Sequence, residues 1–120
     1  MKINNITMLA GIETMNKFPN AKGAMGYAMS RNTRIFTQEL QDFYKERDKL
    51  IQKYGTEDAD GKLSIDKNSS NWVAFLQEYQ PLLDIEIDVN VFQIDESEMS
   101  ILDDATKQDY DILYTILVKP

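Results

Sequence analysis

The 24 residues RNTRIFTQELQDFYKERDKLIQKY, from Arg31 to Tyr54, contain neither proline nor glycine. Within them Phe36, Leu40, Phe43, Leu50 and Tyr54 recur at spacings of 4, 3, 7 and 4. That is the a/d pattern of a helix with one apolar seam, widened by Tyr44 and Ile51. Arg47 occupies an a position inside the seam. Such an arginine either lays its stem on the core and carries its guanidinium to water, or fixes register through a buried ion pair. Extended back to about Lys22, the helix would be roughly 50 Å long. A compact chain of this length has a diameter of about 35 Å. The pattern therefore predicts a helix that overhangs its own domain or is covered by another chain.

The flanking segments read as shorter elements. Asn4 or Asn5 can cap a first helix with Ile6, Leu9 and Ile12 on one face, ending near Asn16 before the break at Phe18-Pro19-Asn20. Gly23, Gly26 and the alanines around them can let that helix approach closely, with Met25 and Met29 filling gaps. Gly55 closes the long helix, Asp58-Ala59-Asp60-Gly61 is a turn, and Lys62 to Ile65 a short strand. Ser69 or Ser70 caps a helix carrying Trp72, Phe75, Leu76 and Tyr79, which should stop before Pro81. Leu83 to Ile94 is the best strand, because Ile85, Ile87, Val89 and Val91 alternate with Glu86, Asp88 and Asn90. Phe92 and Ile94 fall on the opposite parity, so a bulge or strand end is expected at Val91-Phe92. A last helix from about Asp104 to Val118 presents Tyr110, Leu113, Tyr114 and Leu117. The expectation is a single α+β domain over residues 1–120. A long helix of about 22–54 packs with shorter helices and a small antiparallel sheet containing strand 83–94.

Composition narrows the chemistry. The chain has no cysteine and no histidine, which removes disulfides, thiolate metal sites and the usual base near neutral pH. It also lacks a glycine-rich phosphate loop and a nucleophile elbow. No catalytic activity, cofactor or metal is expected. Asp58, Asp60, Gly61 and Ser64 do match the middle of a calcium loop, but Thr56 and Lys67 stand where its end ligands belong. A plain turn is the simpler reading; a Mg²⁺-dependent enzyme around Asp58 and Asp60 is a third functional class. No apolar run approaches the ~20 residues of a membrane span. No apolar stretch typical of a secretory leader follows Met1-Lys2-Ile3.

Charge is zoned. Residues 1–55 hold nine basic and five acidic side chains, whereas residues 84–111 hold one basic and ten acidic. Lys45, Lys49 and Lys53 form a ridge at i+4 spacing, either a solvated face or a dock for an acidic surface. On a strand, Glu86 and Asp88 share one face about 6.8 Å apart, near two phosphate steps along a DNA strand. With Asp84, Asp95, Glu96, Glu98, Asp103 and Asp104 they make a surface that can imitate a nucleic-acid backbone. The plainer alternative is a strand's solvent face followed by helix-start carboxylates.

Two longer pieces, Tyr27-Ala28-Met29-Ser30-Arg31-Asn32 and Tyr44 to Gly55, stand out together with Asp58 to Lys62 and Leu82 to Val89. Through them the run from Ala24 to Ile94 resembles a family of small uncharacterised proteins of phages and prophages of Gram-positive bacteria. The resemblance implies a phage origin and a cytoplasmic location in the bacterial host, and supplies no catalytic residues. The expected function is non-catalytic protein binding. It would inhibit a host defence nuclease, as anti-CRISPR proteins do, through the acidic surface, with no direct nucleic-acid or membrane contact. The alternative is a phage assembly adaptor or chaperone that oligomerises, as a homodimer for instance, through the seam of Phe36, Leu40, Phe43, Tyr44, Arg47, Leu50, Ile51 and Tyr54.

Overall fold

The computed structural model describes all 120 residues. In chain order it comprises β1 (Lys2–Asn4), α1 (Asn5–Asn16), α2 (Gly23–Glu39), α3 (Gln41–Tyr54), β2 (Thr56–Glu57), β3 (Leu63–Ser64), α4 (Ser70–Asp84), β4 (Glu86–Asp88) and α5 (Lys107–Leu117), with a 3₁₀ turn at Glu96–Glu98. β1 pairs antiparallel with β4, placing Ile3 opposite Ile87, and β2 pairs with β3 as a hairpin. The architecture is α+β. No helix is long and apolar enough to cross a membrane.

The rod expected over 22–54 is two helices meeting at Leu40, whose φ of −83° and ψ of 1° leave the α-helical range. Neither proline nor glycine causes the break. Side chains on one stripe bond back onto the helix: Thr33 Oγ1 donates to the Met29 carbonyl (2.8 Å), Thr37 Oγ1 to Thr33 (2.7 Å) and Gln41 Nε2 to Thr37 (2.8 Å). Such bonds compete with the backbone ladder and bend helices. The Leu40 N–H still reaches the Phe36 carbonyl, and the Tyr44 N–H reaches Leu40, each at 2.9 Å. The rod is bent rather than folded back.

The body is elongated too. Its radius of gyration is 17.0 Å and its extents are 49 × 29 × 22 Å, well above the ~13–14 Å expected of a compact chain this long. α3 runs out to the β2–β3 hairpin and α4 returns along it, so the chain covers much of its own seam. Phe36 and Leu40 are fully buried, Phe43 nearly so, and Tyr44, Arg47, Leu50, Ile51 and Tyr54 are half-buried. The expected helix that outruns its domain is therefore partly covered by the chain's own core and α4. An aromatic ladder joins the two helices: Trp72 to Phe75 (5.5 Å between centroids), Phe75 to Tyr79 (4.9 Å), Tyr79 to Phe43 (5.9 Å) and Phe43 to Tyr44 (5.8 Å). Burial in this stack pushes the Tyr79 hydroxyl pKa up.

The main core gathers α1, α2, α5 and the β1–β4 pair around Met8, Met15, Met25, Met29, Phe36 and Leu113. Asn4 caps α1, its Oδ1 accepting the Thr7 N–H at 3.0 Å. The most buried residues of α1 are Met8, Gly11 and Met15; of the expected Ile6, Leu9 and Ile12, Leu9 and Ile12 pack half-buried against the core, whereas Ile6 is 46% exposed. Close approach of helices occurs at Gly11, where an added Cβ would stand 2.5 Å from Ile116 Cδ1 and 3.2 Å from Phe36 Cε2. The glycines of α2 do not supply it; Gly26 lies against the Ala21 carbonyl instead. In α5 the buried residues include Ile116 beside Leu113 and Leu117, while Tyr114 is exposed.

The strand expected over 83–94 is mostly something else. α4 runs through Pro81 to Asp84, leaving the Gln77 carbonyl without a helical donor on an exposed turn. Only Glu86–Asp88 pairs as a strand. Beyond Val89 the buried Asn32 side chain takes over: its Nδ2 donates to the Phe92 carbonyl and its Oδ1 accepts the Phe92 N–H, both at 2.8 Å. Ile94 then bridges to the chain beyond α5, with Ile94 N–H bonded to the Leu117 carbonyl (2.7 Å) and Lys119 N–H to that of Ile94 (2.9 Å).

Thr106 caps α5 and shares a capping box with Asp109. The buried Asp109 carboxylate accepts the Thr106 N–H and the Lys17 ammonium, each at 3.0 Å, tying the end of α1 to the start of α5. The Thr106 N–H first, then Lys17, holds its pKa below the usual carboxylate value. Because the folded value lies below the unfolded one, this stabilisation is complete above the ordinary aspartate range and is lost as pH falls through the lowered native value. Asp109→Asn is therefore expected to flatten the acid limb of a melting-temperature profile between about pH 2 and 6. An acid limb as steep as that of the parent chain would contradict this role.

Candidate partner-binding surface

All eight predicted acidic residues, Asp84, Glu86, Asp88, Asp95, Glu96, Glu98, Asp103 and Asp104, are exposed. The structure distributes them over three elements: the end of α4 with β4, the 3₁₀ turn, and the loop before α5. Glu86 and Asp88 share the outward side of β4, opposite the half-buried Ile87. Three of the eight are partly committed. Asp88 receives the terminal ammonium of Met1 at 3.2 Å, Asp95 pairs with Lys119 at 3.7 Å, and Glu98 accepts the Asp95 N–H at 3.2 Å. Asp84, Glu86, Glu96, Asp103 and Asp104 have neither an ion-pair partner nor a side-chain hydrogen bond within the chain. Asp103 borders a cleft of about 390 Å³ that also receives Lys17, Lys22 and Asn20, with Ile101 on its lip 92% exposed. The acidic surface is thus not one flat array. β4 and the 3₁₀ turn flank the Asn90–Gln93 segment, and Asp103 of the third group shares a cleft with Lys17 and Lys22.

The basic ridge is largely neutralised. Lys45 approaches Asp42 (4.0 Å), Lys49 pairs with Glu46 (2.9 Å), and Lys53 reaches Glu78 on α4 (3.1 Å). The Tyr54 hydroxyl donates to the same Glu78 carboxylate. That bond first, and Lys53 second, lowers the Glu78 pKa, while the Glu78 bond raises that of Lys53. These are exposed pairs that close the arm, each worth little on its own. Arg47 bonds Asp48 at 3.0 Å and lays its guanidinium 4.8 Å above the Tyr44 ring, the arrangement of a stem on the core with its head in water.

The calcium-like segment is a tight hairpin turn. One Asp58 oxygen accepts the N–H groups of Asp60 (2.9 Å) and Lys62 (3.0 Å), and Gly61 adopts φ +79°. Its loop therefore serves β2–β3 pairing, with Leu63–Ser64 as the short strand foreseen in Lys62 to Ile65.

Surface aromatic residues escaped the sequence reading. Tyr27 is 56% exposed on α2 and meets the Phe92 ring edge-on at 5.3 Å, and Arg31 lies 5.5 Å above the same ring. Only the placement of Phe92 beside α2 by Asn32 brings them together, and no local pattern announces that contact. The chain has no significant match to a protein-family model, to a curated protein or to a solved structure.

Proposed function

We propose that this protein acts without catalysis, by seating its acidic surface in a basic cleft of another protein, and that the partner is a nucleic-acid-binding host nuclease. The observation that carries the reading is the set of exposed, unpartnered carboxylates at Asp84, Glu86, Glu96, Asp103 and Asp104. A chain that pairs seven of its thirteen lysines and arginines yet leaves these anions free holds a negative field able to steer a basic partner. Glu86 and Asp88, fixed on one side of β4, supply the repeat that imitates phosphates. As a phage or prophage protein, it would meet this target in the bacterial cytoplasm. An assembly role through the seam has less support, since Phe36, Leu40 and Phe43 are taken up by the chain's own core.

Affinity capture from extracts of Gram-positive cells tests this. The intact protein is expected to retain a nuclease at low salt and release it as salt rises. Charge reversal at Asp84, Glu86 and Glu96 should abolish capture while leaving the circular-dichroism spectrum unchanged. Equal capture by the reversed variant would eliminate the mimicry.

A further inference from the structure

Tyr27, Arg31, Ile35 and Glu39 stand four residues apart on α2 and form one ridge along its outer surface. Tyr27, Arg31 and Glu39 are exposed; Ile35 is half-buried and packs on the core. None of the chain's ion pairs includes Arg31 or Glu39. Arg34, one position off the ridge, is likewise unpaired, and α2 contains no acidic residue before Glu39. The helix therefore shows a positive end and a negative end, about 12 Å apart at 1.5 Å per residue, on either side of Ile35. Beside the ridge lies a concavity of about 370 Å³ lined by Ile35, Val91 and Phe92 together with the exposed amide side chains of Gln38 and Asn90.

We propose that this ridge is the face through which two copies of the chain associate, α2 against α2, antiparallel about a two-fold axis at Ile35. A surface carrying opposite charges on either side of an apolar residue is complementary to itself under a two-fold rotation. Arg31 of each copy then faces Glu39 of the other, Ile35 meets Ile35 at the axis, and the exposed amides of Gln38 and Asn90 supply the polar rim. A polyanion or an acidic peptide would satisfy Arg31 and Arg34 but would be repelled by Glu39. An occupant bearing both signs answers both charges, and a second copy bears them at the matching spacing. This interface is separate from the acidic surface and from the Phe36–Tyr54 seam, and does not depend on the function proposed above.

Sedimentation velocity on the full chain tests it. At about 50 mM salt a species of twice the 13.9 kDa chain mass is expected, dissociating as salt rises to about 500 mM. Arg31→Glu and Glu39→Arg should each weaken association at least about tenfold, and the variant carrying both should recover it, because the exchanged charges meet again. The chain has no cysteine, so Ile35→Cys places a lone thiol on the axis, where it should oxidise readily to a disulfide-linked dimer. A chain that stays monomeric at low salt and about 200 µM, with no Ile35→Cys dimer, overturns the proposal. So does a dimer indifferent to both single substitutions, or a double variant that folds but stays monomeric. Binding of fluorescein-labelled oligothymidine or polyglutamate by a monomeric chain, lost in Arg31→Glu, would also overturn it and give the ridge to an anionic ligand.

Discussion

Phe36→Ala is expected to lower the unfolding free energy by about 3–5 kcal/mol, measured by urea denaturation. Phe36 is fully buried where α1, α2 and α5 meet, its ring edge close to Gly11. Removing the ring leaves a cavity that neighbouring helices cannot close, because Gly11 offers no side chain to fill it. Leu50, of the same seam but half-buried on the arm, should cost less than half as much. The pair separates a residue of the core from one merely shielded by α4. A loss under about 1.5 kcal/mol for Phe36→Ala would mean the seam is not core.

Asn32→Ala should cost about 2–4 kcal/mol, although the side chain it removes is polar. Asn32 is fully buried, and both its amide groups are spent on the backbone of Phe92. Truncation leaves the partly buried Phe92 N–H and carbonyl without their partner, which costs more than the net worth of the two bonds made. The segment from Asn90 to Gln93 should then loosen. Hydrogen exchange at the Phe92 amide is expected to be slow in the parent chain and fast in the variant. Continued protection there would show that the segment is held by something else.

The same two residues show what could be read from the chain beforehand. Phe36 lies on a helical seam that periodicity reveals, and the helix types, the caps at Asn4 and Ser69 and the turn at Asp58–Gly61 follow from local chemistry. Asn32 carries no such signal, because its partner is 60 residues away. The bend at Leu40 was hidden for a related reason. Thr33, Thr37 and Gln41 are ordinary helix-surface residues until their side chains turn back onto carbonyls. The strand was overextended because alternation describes which side chains are wet, whereas pairing requires a neighbour, and β1 offers only three residues. β1 itself is too short to register as a pattern. For the acidic surface, exposure was legible in composition and alternation. Its division among β4, the 3₁₀ turn and the loop before α5 depends on tertiary placement.

The acidic face is most directly tested by competition. Once the captured nuclease is purified, its binding to labelled DNA or guide RNA should be displaced by the intact protein in a salt-sensitive manner. The variant reversed at Asp84, Glu86 and Glu96 should fail to displace it. Ternary complexes in which nucleic acid stays bound, or displacement unaffected by the three reversals, would contradict the account.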